Sequence, residues 1–165
     1  MYTAQLGRVT EGHGVDRQLF ADDSGLYDSF HPDQADLAVR NMEDCCQEVK
    51  KWMSLNELQP NDEKTEAILC GSKTKREKVS VNAVCVGEQK IPLSSAVRNL
   101  GLIVDENVTM QDHTSNTVNG CVYQLRSLVK LRPFLSARAV NAIAVYMVLS
   151  RLDYCNSCLW GVPSQ

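Results

Sequence analysis

The sequence lacks any long hydrophobic run and has few aromatic side chains. Its longest apolar stretch, residues 142–149, is far shorter than the roughly 20 residues that cross a membrane. The amino-terminal residues show no basic segment followed by an apolar one, which is the pattern of a secretory signal. We therefore expect a soluble, intracellular chain whose core is aliphatic, because aromatic residues make up only 6% of the 165 residues.

Cysteines are present, but their number and arrangement do not suggest disulfides. There are seven of them, an odd number, and they are scattered through apolar patterns, which favours reduced thiols over a disulfide framework. Cys155 and Cys158 have the spacing of a zinc-binding pair. No second pair of cysteines or histidines accompanies them, so core thiols are the favoured interpretation.

Charge is divided unevenly along the chain, although the net charge is only −3. Residues 1–70 contain six Lys or Arg and fourteen Asp or Glu, a balance of −8, whereas residues 71–165 contain eleven and six, a balance of +5. One group of cations, Arg126, Lys130, Arg132 and Arg138, has no acidic residue within it. Such a group attracts a phosphate backbone. The alternative interpretation is the solvated polar face of a helix.

The periodicity of apolar residues predicts an α+β fold in which a mixed sheet is followed by helices. Residues 15–30 have the pattern of a β-hairpin, and residues 34–56 that of an amphipathic helix. Further strands are predicted over residues 65–70, 79–86, 90–93 and 97–104, the last with a bulge or close backbone approach at Gly101. Residues 118–129 and 137–152 predict two helices, the second capped by Ser136. We place the boundary between the mixed region, 1–108, and the helical region, 109–165, after residue 108.

Two adjacent carboxylates, Asp22 and Asp23, lie where the predicted hairpin turns. Side chains alternate between faces along a strand, so neighbouring Asp residues reach one ligand only where the backbone turns between them. Mg²⁺ prefers hard carboxylate oxygens, and metal-dependent nucleotidyl transfer uses them to bridge two such ions. A magnesium site is one interpretation of the pair. Asp is also common in solvated turns, and that alternative needs no metal.

Several short motifs follow one another along nearly the whole chain. They are Phe20-Ala21-Asp22-Asp23-Ser24 with Leu26-Tyr27, Trp52-Met53 with Asn56 and Leu58, Asn61 with Lys64-Thr65-Glu66, and Arg98-Asn99-Leu100-Gly101 with Asp105. In order and spacing they resemble the later part of the reverse transcriptase of non-LTR retrotransposons. Two later motifs resemble the thumb and post-thumb signatures of the jockey and chicken-repeat lineages of LINE elements: Arg132-Pro133-Phe134-Leu135-Ser136 and Leu149-Ser150-Arg151-Leu152-Asp153-Tyr154-Cys155-Asn156-Ser157.

The resemblance implies roles for residues of the first motif. Asp22 and Asp23 match the acidic pair of the polymerase palm, in which the first carboxylate is a metal ligand and the second supports the site. Phe20 stands where the family usually has Tyr. The aromatic ring is retained and the hydroxyl is lost, so stacking near the primer end remains available although a hydrogen bond does not.

The resemblance also implies contacts farther along the chain. Lys64 matches the lysine of the next palm motif, where an ammonium lies near the leaving pyrophosphate; a surface lysine after a turn is the alternative. Leu100 and Gly101 match the primer grip, where a residue without a side chain lets the backbone approach the primer. The helical region corresponds to the thumb. There, Arg126, Lys130 and Arg132 would contact phosphates; the alternative is that they lie on a solvated helix face.

The implied reaction is RNA-templated DNA synthesis with Mg²⁺ as cofactor and an RNA template and a DNA primer as partners. The family also has an earlier palm aspartate and fingers, which residues 1–19 do not supply. We therefore expect a palm and thumb fragment that does not polymerise by itself. Two alternatives stay open: a non-catalytic module that binds nucleic acid or a protein partner, and a chain that folds poorly because apolar sheet surface is exposed.

Overall fold

The structure, a computed structural model, describes residues 3–21, 23–154 and 156. Helices and mostly antiparallel strands form an α+β fold, as the sequence predicts. The chain forms two compact units, Met1–Ser95 and Ala96–Gln165, which we call the first and second units. The assignment of residues 1–108 to a polymerase palm and of 109–165 to a thumb stays a prediction.

The first unit begins with a helix, α1 (Thr3–Gly12), which the apolar pattern does not predict. A hairpin of β1 (Asp16–Phe20) and β2 (Asp23–Tyr27) follows, and then a long helix, α2 (Ala35–Leu55). The hairpin and α2 confirm the prediction. A 3-10 turn, Pro32–Gln34, leads into α2, and no side chain caps the start of the helix.

These elements share one apolar core. Leu6 of α1, Val15 before β1, and Cys45 and Val49 of α2 are buried there. Cys45 and Val49 are four residues apart, about one helical turn, so they lie on the same face of α2. The residues that pack around them include two from the hairpin and three from α2: Leu19, Leu26, Met42, Trp52 and Met53.

A three-stranded sheet completes the first unit. β4 (Ala83–Val86) and β5 (Gln89–Ser94) form an antiparallel hairpin, and β3 (Ala67–Ile68) pairs in parallel with β5. The strands predicted over residues 65–70 and 79–86 are present but shorter. A one-turn helix that was not predicted, α3 (Lys73–Arg76), lies between them.

The second unit consists of a hairpin and two helices. β6 (Ala96–Asn99) and β7 (Leu102–Asp105) pair in antiparallel fashion, so the prediction of one strand over residues 97–104 is wrong. Two helices follow, α4 (Gln111–Leu131) and α5 (Ala137–Asp153), separated by a 3-10 turn. Both confirm the prediction. Ser136 caps α5, because its hydroxyl accepts a hydrogen bond from the Ala139 amide at 3.2 Å.

No helix within the described ranges is long and apolar enough to cross a membrane. The described cysteines, which are Cys45, Cys46, Cys70, Cys85 and Cys121, are all free thiols. Burial raises the pKa of Cys46 to about 11, so its thiol is protonated at neutral pH. The pair considered for zinc, Cys155 and Cys158, lies outside the described residues.

Candidate functional site

Asp23, the described residue of the acidic pair, lies at the tip of the first hairpin. Phe20 and Asp23 are the last paired residues of β1 and β2, and Ala21 and Asp22 connect them. Ala21 has a φ of 54°, the left-handed conformation that two-residue hairpin turns favour. Asp22, the metal ligand implied by the resemblance, lies outside the described residues.

The two faces of this hairpin have different surroundings. Leu19 and Leu26 pack against the apolar core of the first unit. Phe20 and Asp23 are cross-strand partners and therefore share the opposite face. Phe20 is 63% exposed, and Asp23 is exposed as well. The tip thus presents an aromatic ring and a carboxylate to solvent side by side.

The base of the hairpin is held by Arg17, a contact that the sequence pattern does not predict. The Arg17 guanidinium donates to the Gly7 carbonyl oxygen and to Thr10 Oγ1, both at 2.9 Å, and pairs with Glu11 at 3.1 Å. Thr10 is fully buried. A Cβ on Gly7 would lie 2.3 Å from Arg17 Nη2, so a glycine at this position makes room for the guanidinium. α1 therefore fixes the end of the hairpin away from the acidic tip.

The described residues do not by themselves make a magnesium site. Within the described ranges, no group of three or more His, Cys, Asp or Glu side chains is placed to hold a metal ion. Asp23 offers one exposed carboxylate, and Mg²⁺ in proteins draws its ligands from more than one group and from water. Magnesium binding at Asp22 and Asp23 therefore stays a prediction, and we assign no chemical step to it.

Lys64 lies at the end of a 3-10 turn, Asp62–Lys64, and is exposed. Its backbone amide donates to the Asn61 carbonyl oxygen at 3.1 Å. No hydrogen bond or ion pair joins its ammonium to the described part of the acidic hairpin. The pyrophosphate contact implied for Lys64 therefore stays a prediction.

Leu100 and Gly101 form the two-residue turn between β6 and β7. Both have positive φ, 47° and 84°, the combination that reverses a chain between twisted antiparallel strands. The Tyr154 hydroxyl donates to the Leu100 carbonyl oxygen, and a Cβ on Gly101 would lie 3.2 Å from the Tyr154 ring. The close neighbour of Gly101 in the structure is therefore Tyr154, at the end of α5, and the primer contact of this turn stays a prediction.

Asp105, the last residue of the same motif, organises the loop between β7 and α4. Its buried carboxylate accepts hydrogen bonds from the amides of Asn107, Thr109 and Met110 and from the Thr109 hydroxyl, at 2.8–3.1 Å. Burial raises the pKa of Asp105, but these hydrogen bonds outweigh it, and the pKa is lowered overall. The same loop holds Val108 and Met110 at positive φ, 55° and 59°, which costs free energy in residues with a Cβ.

The cations expected to contact phosphates lie on the second unit. Arg126 and Lys130 are one turn apart on α4, exposed, and opposite the buried Cys121 and Leu128. Arg132 is exposed in the 3-10 turn that follows. Residues 113–152 contain five Lys or Arg and no Asp or Glu. This surface is electropositive, as the charge pattern predicts, and its contact with nucleic acid stays a prediction.

Comparison of the chain with protein-family models, with curated proteins and with solved structures gives no match in any of the three. The family resemblance therefore depends on the order of the short motifs. The structure gives two of these motifs a definite place, because Phe20–Asp23 and Leu100–Gly101 both lie at the tips of β-hairpins.

Proposed function

We propose that this chain is the acidic-hairpin and thumb part of a LINE-type reverse transcriptase and that it holds the end of a primer on its template. The observation that carries the proposal is the pairing of Phe20 with Asp23 on the exposed face of a hairpin tip. An exposed aromatic ring stacks on a base at the primer end. In the second unit, the electropositive surface of α4 attracts nucleic-acid phosphates.

Binding to a recessed end tests this proposal. Fluorescence anisotropy would compare a DNA primer recessed on an RNA template with a blunt duplex of the same length. We expect tighter binding to the recessed end, and Phe20→Ala should weaken it by about tenfold because base–aromatic stacking is lost. Tyr27→Ala is the matched control, since Tyr27 is 54% exposed on the same face at the base of the hairpin. Equal binding of both duplexes, or equal losses in the two variants, would contradict the proposal.

The chain by itself is not expected to extend the primer. In the part of the chain that the structure describes, no group of three or more His, Cys, Asp or Glu side chains is placed to hold a metal ion. Primer extension with a labelled primer, deoxynucleotides and Mg²⁺ is the measurement, and no product is the expected result. Extension that disappears in Asp22→Ala would show that the acidic pair is catalytically complete in this chain and would overturn this expectation.

A non-catalytic nucleic-acid-binding module is the second candidate, and the acid-free surface of residues 113–152 favours it. For this candidate we expect affinity to fall steeply with salt because counterions are released. Arg126→Ala and Lys130→Ala should each reduce the salt slope by about one phosphate contact. Arg40→Ala, an exposed position on α2, is the control. Binding without preference for a recessed end, unchanged in Asp22→Ala, would favour this module over the polymerase part.

A further inference from the structure

The helix α5 is apolar on all sides. Between Arg138 and Arg151, only Asn141 and Ser150 are polar, and no residue of the helix is fully buried. Four of its large side chains, Val145, Tyr146, Leu149 and Leu152, are between 47% and 76% exposed. A helix that is apolar all round is ordinarily enclosed by other protein. In the described part of the second unit, α4 covers only one side of it.

The uncovered side of α5 has a regular pattern. Val140, Ala144 and Arg151 lie toward α4, where the Arg151 guanidinium donates to Gln124 at 3.1 Å. On the opposite side, Ala142, Val145, Leu149 and Leu152 follow one another at steps of three and four residues. These steps give the narrow apolar seam through which two helices pack on each other. We call these four residues the α5 seam.

The α5 seam is self-complementary when a second helix runs in the opposite direction. With the two-fold axis between Val145 and Tyr146, Ala142 of one helix lies opposite Leu149 of the other, so a small side chain meets a large one. Two copies related by a two-fold axis make this contact twice. We propose that the chain forms a symmetric dimer in which the α5 seams of two copies pack in antiparallel orientation.

The charges at the ends of α5 support this orientation. Arg138 is in the first turn and Asp153 is the last residue of the helix, and both side chains are exposed. Antiparallel packing brings Arg138 of each copy close to Asp153 of the other, which makes two ion pairs by symmetry. Parallel packing would instead bring like charges together at both ends. The helix dipoles also favour the antiparallel arrangement.

A second copy fits the α5 seam better than a nucleic acid does. Residues 139–150 contain no Lys or Arg, and the affinity of proteins for a phosphate backbone comes mainly from these cations. The cations that we assign to nucleic acid, Arg126 and Lys130, are on α4. A single pair of helices buries less than the roughly 1,200–2,000 Å² of stable interfaces. We therefore expect a reversible dimer with a dissociation constant of about 10–100 μM.

Sedimentation equilibrium of the whole chain, from about 1 to 300 μM, tests the proposal. We expect the mass to rise with concentration from that of the 18.4 kDa monomer to twice that value. Leu149→Glu should leave a monomer throughout the range, because it puts a charge into the α5 seam. Leu37→Glu is the matched control, since Leu37 is 61% exposed on α2, and it should leave the dimer unchanged.

A charge exchange distinguishes the proposed dimer from general association of apolar surfaces. Arg138→Glu and Asp153→Arg should each weaken the dimer by about five- to tenfold, and the double variant should restore it to within about threefold. Each substitution also suits the helix dipole at its own end, so folding of α5 is not impaired. Far-UV circular dichroism would confirm that the variants retain their helices.

Three results would overturn the proposal. The first is a monomeric mass at every concentration. The second is growth beyond a dimer that does not respond to the charge exchange. The third is a Leu149→Glu variant that loses binding to the RNA–DNA duplex while its mass is unaltered, which would make nucleic acid the occupant of the α5 seam.

Discussion

Two hairpins with two-residue turns, β1–β2 in the first unit and β6–β7 in the second, are held by the surrounding chain in different ways. The first is fixed at its base, where Arg17 bonds to Gly7 and Thr10 of α1, and its tip is exposed. The second is fixed at both ends, by Asp105 at its base and by Tyr154 at its tip. The exposed tip of the first hairpin is free to contact a ligand. The tip of the second hairpin is bonded to Tyr154 and so joins that hairpin to the end of α5.

Of the changes that distinguish the two hairpins, removal of the Asp105 carboxylate should have the largest effect on stability. Asp105→Ala leaves the amides of Asn107, Thr109 and the buried Met110 without their acceptor, and we expect the free energy of unfolding to fall by about 2–4 kcal/mol. Amide hydrogen exchange is the measurement, and it should speed up within residues 96–154 but not within residues 3–21. Asp112→Ala, at an exposed position in the first turn of α4, is the control and should cost less than about 1 kcal/mol.

Acid should reproduce this loss in the unmodified chain. The folded pKa of Asp105 is lowered, so its contribution to stability is fully present above the unfolded pKa of about 3.9 and is lost as pH falls through the folded value. Backbone amides in the second unit should therefore lose protection against hydrogen exchange below about pH 4. Asp105→Ala should flatten this part of the pH dependence. An unchanged acid response in the variant would show that other groups cause it.

Gly7→Ala should weaken the base of the first hairpin by an intermediate amount. The new Cβ would lie 2.3 Å from Arg17 Nη2, so the guanidinium must move away and its hydrogen bonds to Gly7 and Thr10 are lost. We expect a loss of about 1–3 kcal/mol, seen as faster exchange in residues 3–21 and 35–55. Asp23→Asn, at the exposed tip of the same hairpin, is the control and should change stability by less than about 0.5 kcal/mol.

The smallest effect is expected at the covered tip of the second hairpin. Tyr154→Phe removes one exposed hydrogen bond, to the Leu100 carbonyl oxygen, and should cost about 0.5–1 kcal/mol. Exchange at the turn and at the end of α5 would report the loss. Tyr146→Phe is the matched control, because Tyr146 is 76% exposed on the same helix. Equal responses of the two variants would mean that Tyr154 does not hold the tip.

The sequence predicts those parts of the fold that depend on local pattern. The acidic hairpin is recognisable from apolar residues on both sides of Asp22 and Asp23, and α2, α4 and α5 are recognisable from apolar residues at steps of three and four. Ser136 is a recognisable cap for α5 because its hydroxyl bonds within its own turn. In each case the residues that determine the element are close together in the chain.

The rest depends on contacts between residues that are distant or on unusual backbone geometry. α1 has few apolar residues. It holds the first hairpin because Gly7 and Thr10 accept hydrogen bonds from the Arg17 guanidinium. The sequence predicts a strand through Leu100, where the structure has a turn, because leucine rarely adopts positive φ. Four hydrogen bonds converge on Asp105 from a loop in which Val108 and Met110 have positive φ, which their side chains do not predict. The element on which a candidate-site residue lies can thus be predicted from the sequence. The hydrogen bonds that hold that element in place cannot.

Among the cysteines that the structure describes, one in each unit is buried: Cys45 in the first and Cys121 in the second. Alkylating reagents attack thiolates that they can reach, so these two cysteines react only when the unit around each one opens. Pulsed alkylation followed by peptide mass spectrometry would therefore time the opening of both units in one experiment. The natural chain carries these two reporters without any added label.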